Sequence, residues 1–258
     1  MRENLRDLKA SGAARLSGGA YRDVDVSGSA HIDGDIVCEK FEVSGSVKVA
    51  GGVSCEWCRV SGSARIEGNV TAGEFRASGS ASVEGNLDAK ELHASGSAKA
   101  EGDVMVENEM KISGSGSFGG AVRARTVRSS GSLRAGKGIE CEALTLAGAF
   151  DVGGLINAGN ADIELAGQSR LDEIGGEKIT VRRRGILNVL GIQIPFLTGT
   201  LTAGTIEANS VELEGTRAKV VRGAEVVIGP GCEIDRVEYS KSLDVAEDAL
   251  VREKIKVD

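Results

Sequence analysis

A seventeen-residue sentence, SGSAHIDGDIVCEKFEV from Ser27 to Val43, is rewritten as SGSVKVAGGVSCEWCRV from Ser44, SGSARIEGNVTAGEFRA from Ser61 and SGSASVEGNLDAKELHA from Ser78. An eighteen-residue copy, SGSAKAEGDVMVENEMKI, follows from Ser95, further units start at Ser113 and Ser130, and a shorter, imperfect one starts at Ser11. A fixed period this short makes each unit one structural turn that buries its apolar face only by stacking on its neighbours. That requirement excludes most globular folds.

Aligned copies show what each place in the unit does. Apolar residues fill the fourth and sixth places (Ala30, Ile32; Val47, Val49; Ala64, Ile66), the tenth and twelfth (Ile36, Cys38; Val53, Cys55; Val70, Ala72) and the fifteenth and seventeenth (Phe41, Val43; Cys58, Val60; Phe75, Ala77). Each pair brackets one polar residue, the period of a strand with one buried face. Glycine recurs at the second and eighth places, where the backbone must bend or approach its neighbour. Three short strands per turn of about seventeen residues describe an all-β, parallel β-helix, a solenoid of triangular section. The departures from a strict six-residue repeat favour the right-handed form. A helical reading fails, because two fixed glycines per unit would cost a helix about 1 kcal/mol each without giving it an apolar face.

The repeat sets the organisation of the chain. Residues 1–10 read as a flexible leader, 11–239 as a continuous β-helix, and 240–258 as a charged, irregular end. Ala147 to Leu165 reads as a unit with two extra residues near Gly159-Asn160, and 168–197 as a break in the rhythm. The break carries Arg182, Arg183 and Arg184, then an apolar run containing Ile192, Ile194, Phe196 and Leu197. Two accounts fit it: a widened turn with solvated arginines, or a contact surface on which the apolar side chains dock another subunit while the arginines meet acidic groups or a membrane headgroup. Tyr239 closes the last repeat-like stretch and joins the candidate contact residues.

Register also disarms the motifs that suggest chemistry. Cys55 and Cys58 resemble a CxxC pair, yet they stand in core columns with Cys38 and Phe41, so they read as packing, and Cys141 with them. GSLRAGKG, 131–138, lacks the Ser or Thr after Lys137 and the helix that a phosphate loop needs. His31 and His93 lie in units three turns apart and cannot share one site, which removes most His-based catalysis. Outward Asp33, Glu67, Glu84 and Glu101 stand beside Lys48, Arg65 and Lys99 and read as cross-strand charge pairs. No catalytic residue, cofactor or metal is predicted.

A net charge of −7 gives no basic face for nucleic acid. The first thirty residues carry no signal-peptide pattern, and 186–197 is too short to span a bilayer. These features point to the cytoplasm.

The SGS-A-x-I-x-G-[DN]-V units, with GAEVVIGPGCEIDRVEY from Gly223 onward, resemble the bactofilins, and especially their longer Gram-positive relatives, over roughly 11–239. The resemblance implies a right-handed β-helix that polymerises end to end without nucleotide. It also implies a cytoskeletal scaffold for cell-shape, envelope or motility processes, placed in the cytoplasm or peripherally at the inner face of the cell membrane. Its partners would be further copies of itself, other bactofilin-like proteins or envelope proteins. The charged N-terminus, MRENLRDLK, differs from the family's apolar membrane-targeting pattern. Two rival readings are a monomeric binding module using Arg182 to Leu197 and a polysaccharide-acting β-helix enzyme, which would need a lateral groove with clustered carboxylates and sugar-stacking aromatics.

Overall fold

The computed structural model describes residues 5–184, 187–189, 192–194 and 199–258, the two short internal stretches as backbone only. The described residues form strands, turns and bends and no helix. The chain divides into two units, Met1–Arg125 and Thr126–Asp258, each a parallel β-solenoid.

In the first unit each turn lies on the next in the register the sequence predicts. Ser29–Val43 pairs with Val53–Val60 through Ile36↔Val53, Cys38↔Cys55, Phe41↔Cys58 and Val43↔Val60, and with Ser46–Val49 through Ala30↔Val47 and Ile32↔Val49. The three predicted pairs all face inward: Ile32, Phe41, Val43, Val49, Val60 and Phe75 are fully buried. The extra residue of 95–112 is absorbed in a bulge, since Ala89 pairs with Val106 but Leu92 with Met110. Strand pairing also begins inside the segment read as a leader, where Leu8–Ala10 lies along Asp23–Val26.

Two corner devices hold the turns together. At the first places, both amides of Ser61-Gly62 donate to the Val43 carbonyl, at 2.7 and 3.1 Å, and the same pattern links Ser78-Gly79 to Val60. The chains approach so closely there that a Cβ on Gly62, Gly79 or Gly96 would stand 1.9, 2.0 or 2.1 Å from the glycine carbonyl oxygen of the turn before. At the ninth place an Asx ladder runs up the unit: Asn69 Oδ1 accepts from the Asn86 amide at 2.9 Å, Asn86 Oδ1 from Asp103 at 3.0 Å, and Asp103 Oδ1 from Ala121 at 2.9 Å. Asp35 does the same for Gly52 at 2.7 Å. These carboxylates and amides satisfy backbone donors where the chain turns out of the sheet.

The second unit corrects the sequence reading in two places. The extra residues of 147–165 sit at the strand end, because Ala158 and Asn160 keep register with Cys141 and Ala143, and it is Leu165 that extends the strand to pair with Arg183. Gln168–Arg183 is a regular turn, in continuous parallel register from Gln168↔Thr200 to Val181↔Leu213. The irregularity is confined to one corner. Arg184 N donates to Leu165 O and Thr200 N to Gly167 O, so the sequence between Arg183 and Thr200 is longer than the two residues, Ala166-Gly167, that join the same strands in the preceding turn. Toward the C-terminus pairing runs past Tyr239: Glu233–Val245 lies on Thr216–Ile228, and Leu250–Lys256 lies on Glu233–Val245.

Candidate functional site

The three consecutive arginines divide their work by the alternation of the strand they end. Arg182 and Arg184 are exposed and meet acids of neighbouring turns, Glu212 at 3.8 Å and Glu164 at 3.3 Å. Arg183 is half-buried. Its amide donates to Glu214 Oε2 at 2.9 Å, and its guanidinium reaches the Gly231 carbonyl at 3.4 Å. Gly215 and Gly231 both hold positive φ, 57° and 67°, and a Cβ on either would collide with the Arg183 guanidinium. The central arginine therefore packs between two glycine corners, while its neighbours are loosely neutralised on the surface.

Leu187–Val189 and Ile192–Ile194 form an antiparallel pair, with Leu187↔Ile194 and Val189↔Ile192 in register. Phe196 and Leu197 lie outside the described residues. Tyr239 is half-buried and covered by the final strand, since it pairs with Lys256 and its carbonyl accepts from Val257 N at 2.9 Å.

The terminal turns differ from the interior ones. Leu243, Val245 and Val251 continue the core columns of Val226, Ile228 and Ile234 near the C-terminal end, yet remain only half-buried. At the N-terminal end Leu16 is likewise half-buried, where Ile32, its partner in the next turn, is fully covered. The final strand Leu250–Lys256 has a single neighbour, so among the described residues its outer edge carries unpaired N–H and C=O groups.

The residues with catalytic chemistry are otherwise engaged. Cys38, Cys55 and Cys58 are buried free thiols, Cys141 is half-buried, and Cys232 donates to the Leu213 carbonyl at 3.4 Å. Contact with Cys55, then burial, pushes the Cys38 thiol up. Contact with Cys38 pulls Cys55 down, but Cys58 and burial carry it above the ordinary thiol value, and burial holds Cys141 up at about 11. Such thiols stay protonated and unreactive near neutrality. The lateral charges pair from the fifth place of one turn to the seventh of the next, Arg15 with Asp33 and Lys48 with Glu67 at 2.7 Å, Arg65 with Glu84 at 2.5 Å. Residues 132–135 of the near phosphate loop are an ordinary strand.

A lateral cleft of about 860 Å³ in the second unit is faced by Arg134, Asp151, Arg170, Asp172 and Arg217. Asp172 there accepts from the Gly154 amide at 3.0 Å and lies 3.7 Å from Arg170, so it serves the corner rather than standing free as an acid or base. Sequence reasoning missed one grouping, in which Glu74, Glu91 and His93 each bring a ligand atom within 4.8 Å of the others. Its signal was present as consecutive glutamates in the fourteenth column beside a histidine in the sixteenth. No helix among the described residues is long and apolar enough to cross a membrane.

Fold and surfaces define parallel β-solenoid units whose polar groups bind turn to turn. Residues 7–88 match the family described as "Bactofilin: Polymer-forming cytoskeletal". Two uncharacterized Bacillus subtilis (strain 168) proteins are similar. YhbF is 40% identical over 105 residues, covering 40% of this chain and 42% of its own. YhbE is 44% identical over 91 residues, covering 34% and 37%. The chain thus spans less than half the length of either relative. No solved structure matches.

Proposed function

We propose that the chain is a non-enzymatic cytoskeletal scaffold that self-associates end to end through its terminal turns, without nucleotide. The observation that carries this reading is the half-covered apolar set Leu243, Val245 and Val251, together with the unpaired outer edge of Leu250–Lys256. Interior turns bury the same places completely, so a further turn supplied by another copy would bury apolar area at about 25 cal/mol per Å² and pair the free edge groups. The bactofilin match over residues 7–88 supports the polymer-forming class. Support of cell-shape, envelope or motility processes, in the cytoplasm or at the inner face of the membrane, belongs to the same proposal.

Negative-stain microscopy and light scattering of the full chain, without nucleotide or metal, test it. Filaments that lengthen with concentration and disappear in a Val245→Asp, Val251→Asp variant support end-to-end assembly. A monomer at high concentration in both low and high salt would overturn it. The alternative of a binding module using Arg182 to Leu197 draws less support, because Arg182 and Arg184 already meet Glu212 and Glu164 of their own chain.

A further inference from the structure

The fourteenth places of two consecutive turns hold glutamates in parallel register, Glu74↔Glu91, and the sixteenth places hold Arg76↔His93. Neighbouring strands lie about 4.8 Å apart, so two carboxylates so stacked repel each other unless a cation stands between them. Arg76 meets Glu74 through its Nε and one carboxylate oxygen, Oε1. Glu91 is met by His93, whose Nε2 lies 3.4 Å from Glu91 Oε2 and which is a cation only when protonated. One imidazole nitrogen and two carboxylates therefore converge, with every pair of ligand atoms within 4.8 Å. The Glu74 side chain is 14% exposed, that of His93 28% and that of Glu91 48%, so two of the three donors are partly sheltered and the third is open to solvent.

We propose that Glu74, Glu91 and His93 bind a divalent transition-metal ion, with zinc the best fit. The donor set selects it. Imidazole with carboxylates suits zinc, nickel or copper, whereas calcium and magnesium take all-oxygen shells. Zinc bonds of about 2.0–2.2 Å place neighbouring donors closer together than the present limit, so the three side chains close by a rotamer adjustment while the backbone register stays as it is. Glu74 can keep Arg76 on one oxygen and offer the other. Three protein ligands leave a coordination position for water, and the ion joins two successive turns of the first unit.

His31 provides an internal contrast. It also has a carboxylate two residues away, Asp33 at 3.0 Å, but both oxygens of Asp33 are engaged by Arg15, at 2.7 and 3.0 Å, and among the described residues no third donor joins them. The site stands independently of the scaffold reading.

Isothermal titration of the metal-free full chain with zinc chloride, paired with visible absorption on adding cobalt(II), tests the proposal. Expected are one ion per chain and a cobalt spectrum of nitrogen and oxygen ligation. Binding should weaken at least tenfold in both His93→Gln and Glu91→Gln and stay unchanged in His31→Gln, with circular dichroism confirming the fold of each variant. Unchanged binding in His93→Gln, an intense thiolate charge-transfer band on cobalt, or no binding at millimolar zinc would each overturn it.

Discussion

Gly45 and Gly62 stack so tightly that a Cβ on Gly62 would stand 1.9 Å from the Gly45 carbonyl oxygen. The obstacle is backbone, which has no rotamer with which to yield. Gly62→Ala should therefore cost about 3 kcal/mol, at the upper end of overpacking. Gly12→Ala, where no atom lies within 4 Å of the added carbon, should cost far less. Urea unfolding of the two variants reads the difference.

Ile66 and Arg65 are neighbours on opposite faces of one strand, the first buried and the second exposed in its pair with Glu84. Ile66→Asp should cost about 3–5 kcal/mol by placing an unpaired charge in the core. Arg65→Asp should cost roughly 0.5 kcal/mol, the scale of a solvated ion pair. Equal effects on the thermal midpoint would refute the assignment of faces.

The Asx ladder gives a finer test. Asn69→Ala removes the acceptor for the Asn86 amide and should cost about 1 kcal/mol, whereas Asn69→Asp keeps an acceptor and should cost little. Hydrogen exchange at the Asn86 amide, read by NMR, should rise in the first variant alone.

Stability should fall in alkali because of the buried thiols. Cys38 and Cys55 hold their protons in the fold well beyond the ordinary value of 9.0, the first through Cys55 and burial, the second through Cys58 and burial against the pull of Cys38. Thiols of the unfolded chain ionise near pH 9, so the thiol contribution is fully present below that pH and is lost as pH rises toward the folded values. Denaturation midpoints at pH 8 and pH 10 should separate less in a Cys38→Ala, Cys55→Ala variant than in the parent chain.

Residues whose neighbours are set by the seventeen-residue period were legible. Cys58 could be placed in the core column of Phe41 and Phe75 without coordinates, because parallel stacking makes a column of one sequence place. Reading failed where contact depends on something other than the period. The two extra residues of 147–165 read as lying near Gly159-Asn160, yet both of these remain in a strand, since the sheet on either side imposes its register over local preference. Arg183 could not be separated from Arg182 and Arg184 by composition, because its place is set by Gly231, forty-eight residues on. The grouping of Glu74, Glu91 and His93 was hidden by reading columns one at a time, when two columns of adjacent turns make the cluster.

The corner between Arg183 and Thr200 has a wider meaning. The sheet resumes at Thr200 in the register it would have had with a two-residue turn, so the extra length of sequence between Arg183 and Thr200 leaves the ladder on either side unbroken. A solenoid corner of this kind works as a splice point: sequence can be exchanged there without asking the stacked strands to relearn their positions, and new recognition can be grafted onto a scaffold that is already folded.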